Sequence, residues 1–249
     1  MFKITINPKF SKLSEFINAV PTLFESQGEV IYTGRNLIKV FDVDGFKVNV
    51  KRYRIPLFVN RIAYTFIRKP KGYRAYHYPF ILKEKGVNTA EPIAYIEERK
   101  AGLIRYSYFI SVQSSYTAAL YTIGDKEVDE IKDLAKSFAL FTSYMHKQGV
   151  YHKDYSPGNI LCGKQGGHYD FLLVDINRMR FGNVTLEEGC ANFARLWGQP
   201  SFFRYLAEVY AVDQGADVDY CTERVLYYRT KFWKDFSSRK EIKYNLRYE

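Results

Sequence analysis

Between Tyr151 and Leu161 the chain reads YHKDYSPGNIL, which sets His152, Asp154 and Asn159 within a few residues of one another. A second apolar run, YDFLLVD, ends on Asp175. Two carboxylates and an amide are hard oxygen donors of the kind Mg²⁺ takes. A carboxylate held against a hydroxyl can also accept its proton. Far upstream, Lys51 in FKVNVKRY supplies a positive charge. Each residue has an ordinary reading as well: Asp154 suits a turn, Asn159 caps a strand, and Lys51 sits on a solvated strand.

The elements that must position them follow from periodicity. Residues 10–26 read as a helix. EVIYT, LIKVFDV and FKVNVKRY read as three strands of a meander, with Asp44-Gly45 as a hairpin turn, so Lys51 falls on the third strand. Residues 73–85 read as a helix stopped by Gly86, and EPIAYIEE and RYSYFISVQ as two more strands about Ala101-Gly102. Beyond Gln113 the pattern changes. Val128, Ile131, Leu134, Phe138, Phe141 and Met145 recur at helical spacing over 125–147, and Gly149 ends the helix. NILC and YDFLLVD read as short strands joined by the loop GKQGGH. Three helices open near Thr185, Ser201 and Asp217 as N-caps. The expected layout is α+β, with a sheet-bearing region over 1–113 and a mainly helical one over 114–249.

The order of Lys51, then H-x-D-x-x-x-x-N as HKDYSPGN, then a terminal aspartate as VDIN, resembles the protein-kinase-like fold. That resemblance implies a bilobal chain: a small antiparallel β-sheet N-lobe over 1–113 and a mainly helical C-lobe over 114–249. It is closest to the lipopolysaccharide kinase (Kdo/WaaP) family, over nearly the whole chain, through KGVNTAEPIAYIEE, HKDYSPGNIL and VDINRMRF. It implies ATP and Mg²⁺ as cofactors. Asp154 would be the base and Lys51 would reach the α/β-phosphates, while His152 holds the catalytic loop by hydrogen bonds. Asn159 and Asp175 would bind the metal. YTGRN, with Gly34, Arg35 and Asn36, stands where a glycine-rich loop would cover the phosphates, and His77 stands where a helix glutamate is expected. The implied reaction is phosphorylation of a Kdo or heptose hydroxyl of the lipopolysaccharide inner core, at the cytoplasmic face of a bacterial inner membrane. Other classes stay open: a catalytically silent kinase-like protein that binds nucleotide or an anionic glycolipid, and a kinase of proteins or small molecules.

Composition agrees with an anionic partner. The chain has 249 residues and a formal charge of +10. Residues 46–74 carry Lys47, Lys51, Arg52, Arg54, Arg61, Arg68, Lys69, Lys71 and Arg74, interleaved with apolar and aromatic residues and with no acid. Basic and aromatic residues within 52–74, together with the basic, aromatic stretch RVLYYRTKFWKDFSSRKEIKYNLRYE, are expected to meet a phosphorylated lipid A–core acceptor and the membrane surface. The plainer reading of the C-terminal stretch is an amphipathic helix packed on its neighbours. No nucleic-acid-binding motif is present, and nucleic acid is not an expected partner. Three scattered cysteines without CxxC spacing argue against a disulfide framework or a zinc site. The first residues lack a signal-peptide core, and no run reaches the length of a membrane span.

Overall fold

The computed structural model describes residues 1–117, 119–242 and 246–248. The chain divides into two compact units, Met1–Glu84 with Thr89–Ser114, and Lys85–Asn88 with Ser115–Glu249.

The first unit is a six-stranded antiparallel sheet with helices. It runs β1 (Phe2–Ile6), α1 (Ser14–Ser26), β2 (Glu29–Thr33), β3 (Leu37–Val43), β4 (Phe46–Tyr53), α2 (Phe58–Phe66), α3 (Lys71–Glu84), β5 (Pro92–Lys100) and β6 (Leu103–Val112). The strand order is β1-β5-β6-β4-β3-β2. The helix expected over 10–26 is shorter than its periodicity suggested. Pro8–Leu13 forms 3-10 turns capped by the Asn7 side chain, and Phe10 (φ −112°, ψ 26°) leaves the helical region before α1 begins. β1 and α2 were not anticipated. β1 alternates Phe2, Ile4 and Ile6 with Lys3 and Thr5, as a strand should, but FKITI is only five residues long. α2 has no capping side chain, and its nine residues are too few for the spacing of Phe58, Ile62 and Phe66 to stand out as a helix.

Period two along β4 sorts its side chains to opposite faces. Val48 and Val50 pack with Ile17, Val20 and Phe24 of α1. Tyr53 packs with Ala75 and Tyr76 of α3, together with Tyr95 and Phe109. Lys51, two residues before Tyr53, therefore projects from the α3 face. The hairpin between β3 and β4 turns on Asp44 (φ 50°) and Gly45 (φ 77°), the paired left-handed conformation that fits the twist of its strands.

The second unit runs α4 (Lys132–Lys147), β7 (Val150–His152), β8 (Ile160–Gln165), β9 (His168–Leu173), β10 (Met179–Phe181), α5 (Leu186–Asn192), α6 (Pro200–Gln214) and α7 (Val218–Ser237). The helix expected over 125–147 begins with a 3-10 turn at Val128–Ile131 before α4. β8 and β9 pair as far as Gln165 with His168, so the hairpin turns on Gly166-Gly167 alone and is tighter than a six-residue loop. Thr185 and Asp217 cap α5 and α7 as expected. Ser201 does not cap α6. Gln199 stands at the N-cap and Pro200 opens the helix, because proline's missing N–H costs nothing in the first turn. α7 buries Cys221, Val225, Arg229 and Trp233, which favours the packed-helix reading of this stretch; residues 243–245 and 249 lie outside the described residues. All three cysteines are buried free thiols.

Candidate active site

The loop carrying Asp154 is built on α4. Phe138, fully buried on that helix, touches three rings from three other segments: Tyr155 at 5.7 Å, Phe171 of β9 at 5.4 Å and Phe193 at 6.4 Å. One side chain thus sets the loop, the hairpin and the segment after α5 at mutual distances fixed by close packing. Tyr155 is buried and its hydroxyl bonds Thr142 Oγ1 at 2.8 Å. Burial pushes its phenol pKa up, so it is a fixed, neutral anchor beside Asp154. Gly149 ends α4 at φ +66°, where an added Cβ would meet the Gly182 carbonyl oxygen at 2.8 Å. Only glycine lets the chain turn there into β7 and pair with β10.

Four hydrogen bonds tie the loop of Asp154 and Asn159 to the segment that leads to Asp175. Asn159 Nδ2 donates to the Asp154 carbonyl at 2.8 Å. The Val174 amide donates to the Asn159 carbonyl at 2.9 Å. His152 is fully buried, takes the Asp154 amide on Nδ1 at 3.1 Å and therefore donates from Nε2 to the Val174 carbonyl at 3.1 Å. Burial lowers its pKa, which keeps this neutral tautomer in place. His152 is a positioning residue: it ties the loop of Asp154 to the end of the hairpin that delivers Asp175. Asp175 adopts φ 52°, ψ 39°, the left-handed region, and its carboxylate accepts a hydrogen bond from Asn177 Nδ2.

Behind His152 runs a second polar chain. Asn192 donates from Nδ2 to the His152 carbonyl at 3.0 Å and accepts on Oδ1 from His146 Nε2 at 3.0 Å. His146 Nδ1 then takes the Tyr210 hydroxyl at 3.0 Å. Burial depresses the His146 pKa to about 4. Every partner in this chain is buried, so it fixes orientation at the cost of tolerating no added proton.

The carboxylate of Asp154 meets two guanidiniums that the motif did not disclose. Arg195 donates to Oδ1 at 2.7 Å, and Arg178 lies 3.7 Å from Oδ2. They offset its charge and hold its plane. Arg178 was visible in VDINRMRF as a basic residue three positions after Asp175. Arg195 and Asn192 carry no local signal, since their roles come from the end of α5 and the turn that follows it.

In the first unit, Lys51 Nζ lies 5.4 Å from the Tyr53 ring. Gly34, Arg35 and Asn36 form the turn between β2 and β3, closed by Gly34 N–H to the Asn36 carbonyl at 3.1 Å, while Asn36 Oδ1 accepts from the Arg54 amide at 3.3 Å. On α3, the His77 ring lies 4.0 Å from that of Tyr73, tilted by 39°, and burial, then Lys69, lowers its pKa. α3 carries no acid before Glu84, its last residue.

The donor set fits Mg²⁺. Asp175 offers a carboxylate. Asn159 has its amide nitrogen committed to the Asp154 carbonyl, which turns its oxygen the other way. Among the described residues there is no cluster of three or more His, Cys, Asp or Glu that would hold a metal by itself. A pair of hard oxygens completed by water and phosphate oxygens is the arrangement Mg²⁺ takes in nucleotide sites.

No family model matches the chain, and no curated protein matches it. Among solved structures, one described as WaaP in complex with acyl carrier protein matches with a TM-score of 0.61 and 14% identity, over 96% of this chain and 100% of that one. The match gives this chain a protein-kinase-like α+β fold.

Proposed function

We propose that this protein is an ATP-dependent kinase that phosphorylates a sugar hydroxyl, Kdo or heptose, of the lipopolysaccharide inner core. The observation that carries the reading is the hydrogen-bonded convergence of Asp154, Asn159 and the end of β9 before Asp175. The acceptor oxygen forms a bond to the γ-phosphorus of ATP. The bond from that phosphorus to the β–γ bridging oxygen breaks, and its electron pair leaves with ADP. Asp154, held by Arg195, takes the hydroxyl proton. Lys51 would pair with the α/β-phosphates. Asn159 and Asp175 would hold Mg²⁺, which would supply charge neutralisation for the phosphoryl group. The neighbour's name agrees with the family the motifs resemble.

The second reading, a catalytically silent nucleotide-binding protein, draws on the missing acid of α3. One assay separates the two: ADP release and phosphate incorporation with Mg²⁺-ATP and Kdo–lipid A as acceptor. Acceptor-dependent ADP release with a product one phosphate heavier is the expected result. Tight ATP binding with no transfer favours the silent reading.

The setting proposed for the acceptor is supported by α2 and its flanks. Leu57, Phe58, Val59, Phe66 and Ile67 are each at least 64% exposed, and Arg54, Arg61, Arg68, Lys69 and Lys71 flank them with no acid between. No helix among the described residues is long and apolar enough to cross a membrane. A short helix with exposed large apolar residues and a basic surround matches the surface of an anionic bilayer, here the inner face of the inner membrane. The protein should co-sediment with phosphatidylglycerol-containing vesicles and not with phosphatidylcholine vesicles, and Phe58→Glu/Phe66→Glu should release it. Equal binding to both vesicle types, or retention of the double variant, would remove this role from α2.

A further inference from the structure

A cavity of about 400 Å³ opens beside Asp154 within the second unit. Lys153, Arg195 and Lys231 are its cations, and Tyr151, Tyr228 and Phe232 supply aromatic surface. Its one acid, Asp235, is paired with Arg239. Arg195 joins the cavity to the carboxylate, since it bonds Asp154 Oδ1 at 2.7 Å while its guanidinium sits 5.2 Å from the Phe232 ring. The Tyr228 hydroxyl is tied to Glu187, which holds that ring in the wall. Lys153 and Lys231 are exposed, and among the described residues neither forms a salt bridge.

We propose that this cavity binds an anionic saccharide, a sugar carrying a carboxylate or a phosphate, and so presents the acceptor hydroxyl to Asp154. The site assignment rests on the kinase reading above; the binding chemistry does not. Aromatic rings pack on the apolar C–H face of a sugar. Ammonium and guanidinium groups make charge-assisted hydrogen bonds with its anion. A neutral sugar satisfies only the first of these, and a bare anion only the second. Sharing Arg195 between the ligand's anion and Asp154 couples recognition to the placement of the base.

The test uses the full chain without ATP, so that it is independent of catalysis. Saturation-transfer NMR and calorimetry are run with glucuronate, glucose 6-phosphate and glucose. At least one anionic sugar is expected to bind while glucose does not, and the two anionic probes separate carboxylate from phosphate recognition. Lys231→Glu should weaken that binding about tenfold or more, the value of one charge-assisted hydrogen bond. Lys12→Glu, an equal charge change in the first unit, should leave it as it was. Equal binding of glucose, or equal losses in the two variants, overturns the cavity. In the Kdo–lipid A assay, transfer with an unchanged acceptor KM in Lys231→Glu overturns the cavity and leaves the kinase reading standing. Anionic sugar binding that depends on Lys231, with no transfer to any acceptor, supports the cavity and overturns the kinase reading alone.

Discussion

On the proposed kinase reading, Asp154→Asn should bind Mg²⁺-ATP as the parent does and transfer phosphate about 10²–10⁴-fold more slowly, the range for loss of a positioned general base. The substitution keeps the volume of the side chain and leaves its amide oxygen able to accept from Arg195, so the loop stays where Tyr155 and Asn159 hold it. What is lost is the capacity to take a proton. Stopped-assay phosphate incorporation, read beside nucleotide affinity, checks it. Parental turnover in this variant would mean that some other group receives the proton, and the role given to Asp154 would be wrong.

The second expected result is a steep loss of stability in mild acid. His146 has an ordinary pKa near 6.5 when unfolded and about 4 when folded, because burial disfavours its charged form. Below the unfolded value the denatured chain binds a proton that the native chain does not, so stability falls as pH drops from 6.5 toward 4 and levels off beneath that. The span corresponds to about 3 kcal/mol. His152, also lowered by burial, acts in the same direction. Denaturant melts between pH 7 and pH 4 should show this slope. Asn192 links His146 to the His152 carbonyl, so catalytic competence should fade along with it. A stability flat across that range would show that the buried imidazole takes its proton without penalty.

The structure also gives the two histidines distinct histories. His152 sits in a motif and is visible at once. His146 is one polar residue on the face of an amphipathic helix, where it reads as a solvated position. Its place is decided by Tyr210 and Asn192, which arrive from α6 and α5. The same holds for Arg195: nothing within several residues of it marks a partner for Asp154. Long-range contacts of this kind leave no periodic trace.

What the sequence determined by itself is whatever local chemistry dictates. Asp44-Gly45 makes a left-handed pair because those residue types tolerate it. The meander, α4, the β8–β9 hairpin and the caps at Thr185 and Asp217 follow from periodicity and from side chains that bond their own backbone. The spacing of His152, Asp154 and Asn159 is local too, since Asn159 reaches the Asp154 carbonyl across five residues of the same loop. Only the tertiary structure decided the rest. β1 becomes a strand by pairing with β5, more than eighty residues away. α2 is a helix without a cap or a buried face. The guanidiniums at Asp154 and the cationic cavity beside it are assembled from β7 and the residue after it, the turn before β10, the segment after α5, and α7. Hydrogen bonding within a few residues is set by the order of the chain; burial and charge pairing between distant segments are set by which surfaces pack, and no window of sequence contains that information.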